Sequence, residues 1–172
     1  MTSGSSTSGS SAFDSRAFRQ ARGCFATGIT LVTTLDGGGQ PVGVTINSFA
    51  SVSLDPPLVL FSLGRSAQTF DVFAAAGTFV VNVLSDDQRE LSARFSGRTA
   101  GERWAGVDSA RWDTGCPILS GCLANLECDK VATHDGGDHV ILVGRVRRLA
   151  YRQDGQPLLY YRGVYAELGE IG

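Results

Sequence analysis

Short apolar and β-branched runs, separated by clusters of Gly, Pro, Asp and Asn, fill most of the chain after residue 28. Residues 29–35 and 42–46 flank the turn Asp36-Gly37-Gly38-Gly39-Gln40, which predicts a β-hairpin from propensity and turn chemistry together. A break at Asn47-Ser48 precedes a strand near 50–54, which Asp55-Pro56-Pro57 stops. Residues 58–63 read as a short apolar strand buried on both faces. Another strand spans 78–84. Two longer ones, 121–133 and 139–150, flank Asp135-Gly136-Gly137-Asp138, and a last one covers 157–161 after Asp154-Gly155.

Helical spacing is confined to three places. Asp14 or Ser15 caps the first helix, in which Phe18, Ala21, Cys24 and Phe25 recur at three and four with Arg16, Arg19 and Arg22 between them, and Gly28 ends it. Residues 67–76 predict a second helix, with Phe70 and Phe73 on one side and Gly77 closing it. Residues 86–95 predict a short charged helix, capped by Ser85 and ended by Ser96-Gly97. Residues 97–117 hold Trp104 and Trp112 without clear periodicity and read as packed irregular chain. The sum is seven or eight strands with two or three helices that do not alternate with them, which fits a closed antiparallel barrel with peripheral helices.

Composition narrows the function classes. At 172 residues, 42% hydrophobic and 19% charged, the chain suits one globular domain over residues 13–172. Residues 1–12 carry ten Ser, Thr or Gly and no charge, and read as a disordered tail. Fifteen Lys and Arg against 17 Asp and Glu leave a net charge of −2, which argues against a general electrostatic grip on nucleic acid. No apolar run approaches the roughly 18 residues of a membrane-spanning helix, and the N-terminus lacks a signal peptide's basic start and apolar core, so a cytoplasmic location is expected. Cys24, Cys116, Cys122 and Cys128 form no C-x-x-C pair, and neither His134 nor His139 stands at zinc-ligand spacing. On a straight strand Cys122 and Cys128 share the buried face about 20 Å apart at ~3.3 Å per residue, with Asn125, Glu127 and Asp129 on the other. They read as buried free thiols.

The familiar catalytic motifs are missing. There is no P-loop, no G-x-G-x-x-G between a strand and a helix, and no G-x-S-x-G elbow. Polar residues instead gather at strand ends. Thr45-Ile46-Asn47-Ser48 supplies hydroxyl, amide and backbone donors at one break. Ser62-Leu63-Gly64-Arg65-Ser66 leaves a strand just before a helix containing Thr69, a composition suited to cradling phosphate. Read locally, it is more simply a loop that Ser66 caps, with Arg65 in solvent. His139 opens a strand after a Gly-Gly turn, either as a turn residue bonded to nearby backbone or as a neutral donor at the barrel mouth. Phe95 reads as core or ligand contact, Arg94 as a residue within reach of a phosphate. Of Tyr160 and Tyr161, on opposite faces, one belongs to the core.

In this order the fragments resemble a family. Phe25-Ala26-Thr27-Gly28-Ile29-Thr30, Gly43-Val44-Thr45-Ile46-Asn47-Ser48-Phe49, Ser51-Val52-Ser53-Leu54-Asp55-Pro56-Pro57-Leu58, Phe79-Val80-Val81-Asn82-Val83-Leu84, Arg94-Phe95 and Gly137-Asp138-His139-Val140-Ile141-Leu142-Val143-Gly144 are similar to the short-chain flavin reductases of two-component flavin-dependent monooxygenases. The likeness covers residues 13–166. It implies a mainly β fold, the FMN-binding split β-barrel, a Greek key of about six core strands with peripheral helices, and a homodimer with flavin near its interface. It also implies a hydride transfer from NADH or NADPH to FMN or FAD, and a monooxygenase partner that receives the reduced flavin. Thr45, Ile46, Asn47 and Ser48 would then hold the isoalloxazine edge. Ser62, Leu63, Gly64, Arg65, Ser66 and Thr69 would hold the ribityl chain and phosphate. Arg94 and Phe95 would lie near the phosphate or an adenine extension, and His139 with Tyr161 would line the nicotinamide side. The alternative within the same fold is a flavin-binding electron carrier without nicotinamide activity.

Overall fold

The computed structural model of the protein describes residues 14–97 and 103–169. The tail expected at 1–12 lies outside them. Seven strands form one antiparallel sheet in the order β3-β2-β6-β9-β10-β5-β4, with β2 at Thr30–Leu35, β3 at Pro41–Ile46, β4 at Ala50–Leu54, β5 at Pro57–Gly64, β6 at Thr78–Val83, β9 at Ala124–Gly136 and β10 at His139–Tyr151. The sheet curls until its ends meet. Ser48, between β3 and β4, donates its hydroxyl to the Ser62 carbonyl of β5 at 2.9 Å and accepts the Ser62 N–H at 3.0 Å. The split-barrel expectation therefore holds.

The inner face explains the closure. Val32, Phe61, Phe79, Val81, Cys128 and Leu142 come from five strands into one cluster, together with Phe73 of the helix α2 at Phe70–Ala75. Phe61 packs edge-on against both Phe73 and Phe79, with ring centroids 6.0 and 5.1 Å away. Gly144 lets β10 pass this cluster: a Cβ there would stand 2.9 Å from Cys128 Cβ and closer still to Phe79. A second cluster gathers Ile29, Leu31, Leu84, Leu119, Leu158 and Phe95, the last from α3 at Arg89–Ser96.

Several boundaries differ from the sequence reading. Helix α1 spans Ser15–Arg22, with the Asp14 carboxylate accepting the Arg16 N–H at 2.8 Å, and stops at Gly23 rather than Gly28. Thr27–Gly28 instead forms a short strand, β1, pairing with β11 at Leu159–Tyr161. The expected core face of that helix is not buried: Phe25 is 77% exposed. Helix α2 begins three residues late, with Thr69 rather than Ser66 as its N-cap. The segment at 86–95 splits into a single 3₁₀ turn at Asp86–Gln88 and then α3, with the Ser85 N–H donating to Gln88 Oε1 at 3.1 Å. Burial along β5 alternates, so only one of its faces is fully covered.

The stretch expected to be irregular holds a small hairpin, β7 at Ser109–Arg111 and β8 at Pro117–Leu119, and β12 at Val164–Ala166 pairs with β11 beyond the last expected strand. The hairpin covers the outer face of the sheet, which buries Glu127 completely. Its Oε1 accepts from Thr114 N–H at 2.8 Å and Thr114 Oγ1 at 2.7 Å. The expected solvent face of β9 is thus partly interior. Lys130, the chain's single lysine, donates to the carbonyls of Phe73 at 3.1 Å and Ala74 at 2.6 Å and so caps the end of α2.

All four cysteines are unpaired, and only Cys24 is exposed. Cys122 sits in the turn before β9 rather than on it. Burial pushes the thiol of Cys122 up to about 11 and that of Cys128 up to about 12. Since the thiolate is the reactive form, one thiol per native chain should react with a disulfide reagent at pH 8, and all four after denaturation. A second fast thiol in the native protein would contradict this burial.

Candidate active site

A cleft of about 1040 Å³ opens where the ends of β3, β5 and β10 meet α1, α3 and the β11–β12 hairpin. Closure of the barrel builds it. The chain breaks out of β3 at Asn47 because β4 must turn back along β5, and that break leaves Thr45, Ile46, Asn47 and Ser48 on one wall. Ser62, Leu63 and Gly64 line the floor at the end of β5. In the β5–β10 register His139 lies opposite Gly64, which brings the imidazole beside the glycine. A Cβ on Gly64 would lie 3.6 Å from His139 Nε2.

Several hydroxyls are already engaged. Thr45 donates to the Ser92 carbonyl of α3 at 2.7 Å, and Ser48 is stitched to Ser62. These two side chains set the shape of the wall and can only accept from a ligand. The Asn47 side chain is exposed on the same wall.

His139 Nδ1 lies 2.7 Å from Asp138 Oδ1. The hydrogen bond from His139 holds the Asp138 carboxyl below its ordinary range, so it is an acceptor at neutral pH. Nδ1 must then carry the proton, and a neutral His139 offers Nε2 to the cleft as an acceptor. This corrects the expectation of a neutral donor. Neighbouring backbone is not its partner either.

Not all the candidate residues reach the cleft. Arg65 clasps the turn that carries His139: its Nε donates to the Gly137 carbonyl at 3.0 Å, Nη2 to Asp135 Oδ2 at 3.3 Å, and its N–H to the Asp138 carbonyl at 2.9 Å. Ser66 and Thr69 lie beyond the lining, Thr69 buried with its hydroxyl unpartnered. Arg94 turns away and donates to the Ala105 carbonyl at 3.0 Å, while Phe95 is core, edge-on to Trp104 at 5.0 Å. Tyr160, not Tyr161, lines the cleft, because Tyr160 shares its face with Tyr165 on the paired strand β12. Sequence reasoning missed Tyr165, Ser92 and Ser96, and the α1 residues Phe18, Arg19 and Arg22. For α1 the helical spacing was visible, but it suggested a core face.

Among the described residues no group of His, Cys, Asp and Glu is arranged to hold a metal ion, and no helix is long and apolar enough to cross a membrane. Residues 22–169 match the model of the flavin reductase like domain. The chain is 48% identical over 152 residues to the FMN reductase (NADH) SmoA of Agrobacterium fabrum, covering 88% of this chain and 85% of that one. It is 44% identical over 154 residues to HsaB of Rhodococcus jostii, the reductase subunit of a flavin-dependent monooxygenase, covering 90% and 78%. Among solved structures it superposes on nitrilotriacetate monooxygenase component B of Mycobacterium thermoresistibile with a TM-score of 0.86 at 42% identity, over 92% of this chain and 88% of that one. The NADH:FAD oxidoreductase SgcE6 of Streptomyces globisporus, solved with NAD and FAD fragments, gives 0.85 at 34% identity over 91% and 93%. With the family model matched over residues 22–169 and relatives 44–48% identical across most of both chains, the chain belongs to the flavin reductase like domain family.

Proposed function

We propose that the protein is an NAD(P)H:flavin oxidoreductase that passes reduced FMN or FAD to a partner flavin-dependent monooxygenase. One observation carries this: the β5–β10 register sets an oriented imidazole beside Gly64, in the same cleft as the Thr45–Ser48 wall. The cleft, at about 1040 Å³, stands at the upper end of the roughly 300–1,000 Å³ of small-molecule sites, which is room for two stacked rings. When bound, the flavin and the nicotinamide themselves supply the hydride chemistry, from C4 to N5.

The chain's part is positioning. Backbone groups of Ile46, Asn47 and Ser48, with the Asn47 amide, hold the flavin edge. Ser62, Leu63 and Gly64 present backbone to its ribityl side, where a glycine admits close approach. Arg65, Ser66 and Thr69 act from behind this loop. His139, oriented by Asp138, accepts from the nicotinamide carboxamide and fixes that ring at near-attack distance. Tyr160 replaces Tyr161 as the phenol on that side. The working form in this reading is a homodimer of split-barrel domains spanning residues 13–172, and four unpaired thiols suit a reducing cytoplasm.

The test is anaerobic mixing of the protein with excess FMN or FAD and then NADH or NADPH, following flavin absorbance. Multiple turnovers of bleaching are expected. Tight flavin binding without bleaching would instead identify an electron carrier and leave His139 a turn residue.

A further inference from the structure

One wall of the cleft has been given no role in this arrangement. Helix α1 turns Ser15, Phe18, Arg19 and Arg22 toward the cleft, positions i, i+3, i+4 and i+7 of a single helical face. In an ordinary surface helix that stripe is apolar and packs on the core. Here no residue of α1 is buried, and Phe18 is 57% exposed. The helix is tied to the body from its C-terminal end, where the Arg162 N–H donates to the Gly23 carbonyl at 2.9 Å.

The two arginines lack acidic partners. Among the described residues, neither Arg19 nor Arg22 has a carboxylate within ion-pair distance, and Arg19 engages only Nε, on the Ser15 carbonyl at 3.2 Å. Cations in the last turn of a helix suit its dipole. The dipole, however, selects the turn and not the face, and both side chains lie on the face that lines the cleft. The charge of Arg22 also reaches Asp138, the residue that orients His139. The basic stripe therefore borders the cleft on the side of Asp138 and His139.

We propose that Arg19 and Arg22 bind the diphosphate of the nicotinamide dinucleotide, so that α1 serves as the donor's electrostatic clamp. This rests on the reductase reading above. Guanidinium forks match phosphate oxygens, and a dianion is the chemistry that two unpaired arginines on an open wall recognise. Both side chains are solvent-exposed, so each contact is screened and moderate.

The experiment compares the wild type with Arg19→Gln and Arg22→Gln using two donors. One is NADH. The other is 1-benzyl-1,4-dihydronicotinamide, which carries the same ring and no phosphate. Each variant should lose about fivefold in kcat/KM for NADH, mainly through KM, and nothing for the phosphate-free donor. The fall of the wild-type NADH rate with added salt should flatten in the variants. Flavin affinity, read by fluorescence quenching, should stay unchanged. Equal losses with both donors would reduce the arginines to a structural role and overturn the proposal. Weakened flavin binding would assign them to the flavin phosphate and overturn it as well, as would unchanged NADH kinetics. If wild-type protein bleaches flavin with neither donor, the reductase reading itself falls and takes this proposal with it.

Discussion

Replacing His139 by alanine is expected to raise the KM for NADH by roughly ten- to thirtyfold while shifting the flavin dissociation constant by less than about threefold. The asymmetry follows from where the imidazole sits. It borders Gly64 at the mouth of the cleft, whereas the wall proposed to hold the flavin edge, Thr45–Ser48, is locked by α3 and β5 through Thr45 and Ser48. In the proposed arrangement truncation removes the Nε2 acceptor and the ring beside the nicotinamide, and leaves that wall intact. Asp138→Asn should have a smaller effect of the same kind, since an amide oxygen still accepts the Nδ1 proton but no longer polarises the ring. Steady-state kinetics with each donor and a separate flavin titration resolve the two constants. Lost flavin affinity at unchanged KM would place His139 on the flavin instead.

This site was only half legible in the chain. The hairpin at 29–46, the break at Asn47-Ser48 and the turn before His139 are local features, set by turn residues and alternation, and they appear where propensity puts them. What local pattern cannot report is which faces a distant segment covers. Glu127 reads as solvent-facing until the β7–β8 hairpin closes over it. Arg65 reads as a phosphate ligand because the Gly137 carbonyl and Asp135, some seventy residues away, are invisible beside it. Phe18 and Phe25 at helical spacing look like core, yet α1 borders a cleft and none of its residues is buried. Tyr160 and Tyr161 differ only in face, and the pairing of β11 with β12 decides between them.

Asn82→Leu should destabilise the protein by about 3–4 kcal/mol, the largest loss expected from one near-isosteric change in the sheet. Asn82 is the penultimate residue of β6, in a run otherwise apolar, with no solvent exposure. Its amide is fully used: Nδ2 donates to the Leu31 carbonyl at 2.8 Å and to Thr33 Oγ1 at 3.2 Å, while Oδ1 accepts from the Leu119 N–H at 3.0 Å and from Asn125 Nδ2 at 2.8 Å. Leucine fills the volume but leaves the Leu119 N–H without its partner in the interior, at about 1–3 kcal/mol for such a group, and weakens the ties to Asn125 and Thr33 as well. For a domain of this size roughly 2–4 °C of Tm accompanies each kcal/mol, so a fall on the order of 10 °C is the reading to seek by calorimetry. A loss below about 1 kcal/mol would mean that the network contributes little beyond packing. The same residue links fold to function. Asn82 anchors Leu119, which packs in one cluster with Phe95 of α3, and α3 in turn carries the Ser92 carbonyl that fixes Thr45 on the cleft wall. Loosening this end of β6 should therefore weaken flavin binding before it touches the turn of His139, which the Arg65 clasp holds independently.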